Sequence, residues 1–278
     1  MGNTAKMWLT GCGCGCALLV LLFVGLGIAG ANWVGGTIEG FDDAVETRQA
    51  LEDDYGKTRE FVPWADGAIP AERLERFLTV REKAAPAREK IADFFSSLPA
   101  SDEEAEALDA KPTGEKLTEV FKIVRSSFGL GGGIGDLFSL RNQGLVEAEM
   151  GLGEYSYIYV IAYYAWLGHA LNDSGDGPQV TNSTAPRLRI EMEQILRNQL
   201  ESLDEATLAS AWGERLKAEV TTLEEHPDRL PWQDGLPDAI VQSLAPYKER
   251  LEEQYAAESN PFELARNEKR GQWSYRAD

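Results

Sequence analysis

Hydrophobic residues recur at every third or fourth position through most of the chain, the spacing that places them on one face of a helix. Such stripes run through residues 71–98, 188–203, 208–223 and 240–255. No stretch shows the sustained alternation of apolar and polar residues that is typical of a half-buried strand. The sequence therefore predicts an all-α fold, with the helices arranged as an irregular bundle.

The N-terminal segment departs from this pattern because residues 7–38 form an uncharged run of 32 residues. A helix needs about 20 largely apolar residues to cross a bilayer, and residues 12–34 supply them. Lys6 precedes the run and acidic residues follow it, so the positive-inside rule places the N-terminus in the cytoplasm. We predict a single transmembrane helix, with residues 1–34 as cytoplasmic N-terminus and anchor. The remainder then faces outward, most simply into the periplasm from a bacterial inner membrane.

Two features of the anchor leave its fate open. The Ala29–Ala31 stretch has the form of a signal-peptidase site, and cleavage near Ala31 would release a secreted domain. Gly11 and Gly15 form a pair of small residues that lets two membrane helices approach closely, so a helix–helix dimer through the anchor is an alternative. The same stretch holds all the cysteines of the chain, whose role the sequence leaves open: Cys12, Cys14 and Cys16.

The rest of the chain divides into three parts by composition. Residues 35–60 combine an apolar stripe with many acids and are predicted to form a stalk helix after the anchor. Residues 61–258 contain the longer stripes and are predicted to form an acidic, all-helical extracytoplasmic domain. Residues 259–278 are polar and are predicted to form a C-terminal tail.

The segment Tyr155–Leu171 differs from the other stripes because its 17 residues include no charge. A helix that is apolar all round is usually the central helix of a bundle. Its tyrosine-rich surface is also suited to line a pocket for a flat or apolar ligand, and a second membrane span is a third alternative. Because buried tyrosine hydroxyls need partners, we expect those of this segment to meet polar groups at its rim.

Charged residues crowd the entrance to this segment, which is where the sequence points first for function. With the aromatic residues beyond them they make our candidate interaction or pocket set: Arg141, Glu147, Glu149, Glu154, Tyr155, Tyr159, Tyr163, Trp166 and His169. For the charged members the alternative is a solvated turn with ion pairs. For His169 the alternative is a core residue whose ring nitrogens have hydrogen-bond partners.

Two loops resemble each other, at residues 62–70 and 230–237, and both precede an amphipathic stripe. They share the pattern Pro-Trp-x-Asp-Gly, in which Asp-Gly favours a tight turn: Pro63, Trp64, Asp66, Gly67, Pro231, Trp232, Asp234 and Gly235. A second proline, Pro70 or Pro237, suits the first position of the helix that follows. We expect each tryptophan to fold back onto that helix. Similar local needs or a decayed duplication explain the likeness, and neither indicates catalysis.

Composition excludes several kinds of chemistry. The formal net charge of -19 argues against a broad surface for nucleic acid. No cysteine follows residue 16, so the body lacks a disulfide, a cysteine-ligated zinc site and a cysteine nucleophile. The two histidines, His169 and His226, have none of the spacings of zinc or di-iron ligands. We predict no metal, no cofactor and no nucleic-acid partner.

These observations favour an interaction or scaffold protein of the cell envelope, anchored in the membrane and bound to a protein partner. It carries no catalytic signature. One alternative is a carrier or sensor of an apolar ligand, such as a lipid or a quinone, that uses the tyrosine-rich segment. A second alternative is a hydrolase that uses carboxylates, which are plentiful in the chain.

Overall fold

A computed structural model describes residues 44–96, 132–171 and 184–264, and throughout these three ranges the regular structure is helical, without a strand. The all-α prediction is therefore confirmed for this part of the chain. None of the helices in it combines the length and the apolar character that a bilayer span requires. The predicted anchor at residues 12–34, the Gly11 and Gly15 pair, the cleavage site near Ala31 and the cysteines lie outside the described residues.

Ten helices are labelled here in chain order. The first half of the described chain contributes α1 (44–55), α2 (Ala71–Ser96), α3 (132–147) and α4 (Leu152–Tyr159), which continues as a π-helix over Val160–Trp166. The second half contributes α5 (Thr184–Ser202), α6 (Glu205–Leu208), α7 (Ala211–Glu225), α8 (Asp238–Leu244), α9 (Lys248–Gln254) and α10 (Asn260–Glu263). Short 3₁₀ turns lie at Thr58–Glu60, Ala245–Tyr247 and Ala257–Ser259.

Helix α4 and its π-helical continuation run through the middle of the core. Nearly every side chain from Leu152 to Tyr164 is buried, which explains why this stretch carries apolar residues on all sides. The stripes of α2, α5, α7, α8 and α9 pack around it in one continuous cluster. The tyrosine-rich segment is thus the central helix of the bundle in the part of the chain that is described.

Residues at both ends of the body also enter the core. Helix α1, which lies in the predicted stalk, buries Ala44 and Leu51, and the Asn142 side chain donates a hydrogen bond to the Ala44 carbonyl. The segment that we predicted as a polar tail begins inside the protein, because Ser259 and Glu263 are at most 1% exposed. Both segments therefore belong to the body where the structure describes them.

The two similar loops form the same turn. Gly67 N donates to the Trp64 carbonyl at 2.9 Å, and Gly235 N donates to the Trp232 carbonyl at 3.0 Å. The carbonyls of Pro70 and Pro237 accept the first main-chain hydrogen bonds of the helices that follow. Helix α2 begins at Ala71 and helix α8 at Asp238. The prolines thus lie one position before the first helical residue, not at it as we predicted.

Trp212 of α7 joins these two loops. Its ring lies against Gly67, where an added Cβ would come within 2.5 Å of the ring, and its Nε1 donates to the Ala65 carbonyl at 2.8 Å. On the other side it stacks with Trp232 at a centroid distance of 6.0 Å. Trp64 packs on Tyr157 of α4. We expected each loop tryptophan to fold onto its own following helix; the ring contacts of Trp64 and Trp232 are with Tyr157 of α4 and Trp212 of α7.

Candidate functional site

The π-helical turn brings three tyrosine rings together on one face of the central helix. Leu167 N donates to the Ala162 carbonyl, the five-residue spacing of a π-helix, which places residues five apart on the same side. As a result the Tyr159 ring lies 4.7 Å from the Tyr163 ring and 5.9 Å from the Tyr164 ring. A regular α-helix would direct the last of these elsewhere.

Asn260 receives the hydroxyls that this turn presents. Its Oδ1 accepts hydrogen bonds from Tyr159 and from Tyr164, the latter at 2.9 Å. Its Nδ2 donates to the Tyr255 hydroxyl at 2.8 Å. The asparagine is 1% exposed, so its amide is bonded inside the protein, as a buried polar group requires.

Glu263 lies beside it and forms an ion pair with Arg81 of α2 in the middle of the protein. Both side chains are 0% exposed. The Tyr155 hydroxyl donates to the other carboxylate oxygen at 2.9 Å. Arg81 also donates to the Gln254 carbonyl and lies over the Tyr159 ring, with its guanidinium carbon 5.0 Å from the centroid. The short helix α10 is therefore fixed to the core by polar contacts on both of its ends.

Two further buried arginines face the same carboxylate. Arg88 lies 3.7 Å from Glu263, and donates to the Arg81 carbonyl and to the Gln254 side chain. Arg141 of α3 donates to the Glu263 main-chain carbonyl and to Asn142. Among the described residues this interior thus holds one carboxylate against three guanidinium groups. A local excess of positive charge is buried inside a protein of strongly negative net charge.

The pKa values follow from this arrangement. Burial raises the pKa of the Glu263 carboxyl, but the charges of Arg81, Arg88 and Arg141 outweigh it and hold the pKa below its ordinary value. Burial lowers the pKa of Arg88, and the neighbouring Arg81 charge lowers it further. Burial also raises the pKa of Tyr155. The carboxylate is therefore ionised and the phenol neutral at neutral pH, the states in which the hydrogen bonds described above form.

The charged residues that the sequence singled out occupy two different places. Arg141 is in the buried network. The three glutamates instead pair with cations of α2: Glu147 with Lys83 and Glu149 with Arg76 near the surface, and the buried Glu154 with Arg73. The main-chain carbonyls of Ala148 and Glu149 accept from Arg76 and Arg73, so these cations also stabilise the C-terminal end of α3. An open groove of about 430 Å³ lies over these pairs.

The aromatic candidates lie on the central helix, except for His169, which follows its end at Trp166, and their surroundings differ. Tyr155 and Tyr159 bond to α10 as described above, inside the core and not at the rim that we expected. Tyr163 packs between the Tyr159 and Tyr255 rings. His169 stacks on Tyr255 at 3.6 Å and 13°. Trp166 is half-buried at the edge of the core.

No protein-family model, no curated protein and no solved structure matches this chain. The site is therefore interpreted through its own geometry.

Sequence reasoning missed the two groups at the centre of the network, Arg81 and Glu263. A signal for the first was present, since Arg81 and Arg88 occupy stripe positions of α2 between Leu78 and Ile91, where an apolar residue is expected. A charged residue on a buried stripe needs a buried partner. For Glu263 the chain offered no comparable signal, because it lies in a short segment without periodicity.

The arrangement is suited to recognition of a carboxylate and an amide. The Arg81 guanidinium and the Tyr155 phenol donate to the carboxylate, while two phenols donate to the amide oxygen. Within residues 44–96, 132–171 and 184–264, no three His, Cys, Asp or Glu side chains come together as metal ligands would. In the described residues these groups bind the short helix α10 through Asn260 and Glu263.

Proposed function

We propose that this protein is an interaction or scaffold module of the cell envelope, held in the membrane by residues 12–34 and presenting its helical body on the outer side. The observation that carries the proposal is the uncharged run of 32 residues before an acidic body. A segment of that length is suited to span a bilayer. The bacterial inner membrane with the body in the periplasm is the location that this proposal entails.

The body supports a binding role over a catalytic one. The glutamates that a hydrolase would use are paired with cations of α2, and two of the tyrosines that a lipid carrier would use as lining bond to Asn260 and Glu263. These groups hold the protein's own helices together. The body is then a preformed rigid surface, which favours association with another protein.

Membrane attachment is tested with a charge variant and a size control. In the Leu21→Arg/Leu22→Arg double variant, two guanidinium groups lie in the middle of the apolar run, where each costs about 3 kcal/mol in a bilayer. We expect the wild-type chain and the Leu21→Ala/Leu22→Ala control to remain in alkali-washed membranes, and the arginine variant to be lost from them. A mature wild-type chain that begins after Ala31 would contradict the anchor and establish secretion.

The orientation of the chain in the membrane is tested by cysteine labelling, since no cysteine follows residue 16. In a background with the three N-terminal cysteines changed to serine, Glu253→Cys introduces a thiol at an exposed position of α9. Asn3→Cys is the matched reporter for the other side. An impermeant maleimide should label the first in intact spheroplasts and the second only after lysis. The reverse pattern would overturn the proposed topology.

Partner binding is tested at Ile190 on α5, whose side chain is 64% exposed although it is large and apolar. A photo-crosslinking residue at this position in native membranes should give one discrete product, whose second chain is identified by mass spectrometry. The same residue at the exposed Glu201 of α5 serves as the control. Loss of the product in competition with purified wild-type chain would support specific binding, whereas identical products from both positions would contradict it.

A further inference from the structure

We propose that the network around Arg81 is a binding site for an acidic peptide turn, and that residues 257–264 occupy this site as a ligand supplied by the chain itself. The site is suited to a segment with asparagine three residues before glutamate. An acidic segment of a partner protein would compete for the same position. This inference goes beyond the proposed function and stands without it, because peptide binding does not depend on the anchor.

The first support is that the two sides of the contact come from separate parts of the chain. The site consists of side chains on α2, α3 and α4, within residues 81–164, whereas the ligand is one turn about 100 residues later. Residues 101 or more positions apart therefore form the contacts of Glu263 with Tyr155 and of Asn260 with Tyr159. Within the described part of the chain, α5 to α9 lie between the receptor residues and the turn.

The second support is the way in which the turn is attached. After α9 ends at Gln254 the chain is extended at Tyr255 and Ala256, with ψ values of 137° and 105°. Only a 3₁₀ turn and the four-residue helix α10 follow within the described chain. Helices this short do not form alone in water, so the conformation of the turn depends on the site that holds it.

The third support is the binding capacity that the turn leaves unused. The Glu263 carboxylate pairs with Arg81 and lies 3.7 Å from Arg88, and Arg141 donates to the Glu263 main-chain carbonyl, so three buried guanidinium groups surround one carboxylate among the described residues. The Arg81 Nε and the Tyr163 hydroxyl are buried and make no hydrogen bond within the same part of the chain. A more acidic ligand would therefore find additional favourable contacts in this site.

The direct test uses a fluorescent peptide of residues 256–264 and the purified full-length chain. In the Glu263→Ala chain the internal ligand is weakened, so the peptide should bind about tenfold more tightly than it binds the wild-type chain, where the internal turn competes. The matched control is Glu258→Ala, a change in the same segment at a residue outside the network, which should bind peptide as the wild type does. Fluorescence anisotropy measures each dissociation constant.

Variants of the peptide test whether the site recognises the Glu263 carboxylate specifically. A peptide with the position of Glu263 changed to glutamine should bind the Glu263→Ala chain about tenfold more weakly than the unmodified peptide, since it lacks the charge. A peptide with Glu258 changed to glutamine should bind as the unmodified one. Equal affinity of all peptides, or equal affinity of all three chains, would overturn the proposal.

A measurement on the wild-type chain decides the matter if the Glu263→Ala chain does not fold. Hydrogen exchange should show residues 257–264 opening at least about tenfold more often than the central turns of α2 and α4, because a bound ligand dissociates without global unfolding. Excess peptide should increase the exchange of these amides further. Protection equal to that of α2, with no response to peptide, would show that the turn is a permanent part of the core.

Discussion

Helix α2 presents cations on two sides, one facing the protein interior and the other facing solvent. Arg81 and Arg88 point inward to Glu263 in the core, where both members of the main pair are fully buried. Lys83, two positions after Arg81, points outward to Glu147, whose side chain is 68% exposed. Each pair joins a basic side chain to a glutamate, but water screens the outer pair and not the inner one. The difference teaches that position, not the number of ion pairs, decides what each contributes.

The largest effect is expected when the buried carboxylate loses its charge. Glu263→Gln leaves three buried guanidinium groups without an anion, and removal of one member of a buried pair costs about 3–5 kcal/mol. The free energy of unfolding, measured by urea titration with circular dichroism, should fall by that amount. Glu258→Gln, in the same segment, should leave it unchanged. A loss below about 1 kcal/mol would mean that water already screens the site.

A smaller net effect is expected when both members of the buried pair are replaced. The Arg81→Met/Glu263→Met double variant removes the desolvation cost of both charges together with their attraction, and such replacements are often close to neutral. We expect it to unfold with a free energy at least about 2 kcal/mol above that of the Arg81→Met single variant. Strict additivity of the two single changes would contradict a direct coupling between these side chains.

Acid should remove the contribution of the inner pair selectively. The pKa of Glu263 is lowered in the folded protein from the ordinary 4.5. Its stabilisation is therefore complete above about pH 4.5 and is lost as the pH falls through the folded value. We expect the difference in unfolding free energy between wild type and Glu263→Gln to be constant from pH 7 to pH 5 and to narrow only below that range. If the difference in unfolding free energy narrowed near pH 7, Glu263 would not have a lowered pKa in the folded protein.

The smallest effect is expected on the outer face. Lys83→Met and Glu147→Gln each break a pair whose lysine is partly exposed and whose glutamate is largely exposed. Pairs at the surface contribute about 0–1 kcal/mol. The same urea titration should detect little change, and added salt should abolish what remains. A loss as large as that of Glu263→Gln would remove the distinction between the two faces of α2.

The helices were well predicted because the apolar residues that recur at helical spacing are the residues that the fold buries. The uncharged segment Tyr155–Leu171 pointed to a central helix, and the pattern Pro-Trp-x-Asp-Gly identified two loops that form the same turn. These features depend on neighbouring residues, which a linear pattern records. The membrane anchor stays a prediction, because residues 12–34 lie outside the described chain.

The candidate site was only half found, for a physical reason. Arg141, Tyr155 and Tyr159 were named because they lie near an obvious aromatic segment. Arg81 and Glu263 were not, because their pairing joins positions 182 residues apart. The acidic residues that stood out, such as Glu147, are satisfied locally at the surface. In a chain rich in carboxylates, composition does not distinguish a buried one such as Glu263 from the many at the surface.

The wide turn at Val160–Trp166 has a consequence for how this chain can change over time. It holds one more residue than an ordinary helical turn, and only for that reason does Tyr164 reach Asn260, 96 positions away. A relative that deletes one residue there would rotate its later aromatic rings away and leave the amide oxygen with the Tyr159 hydroxyl but without that of Tyr164. Such a relative should carry a compensating substitution at the position of Asn260, so that length in one segment and identity in the other are inherited together.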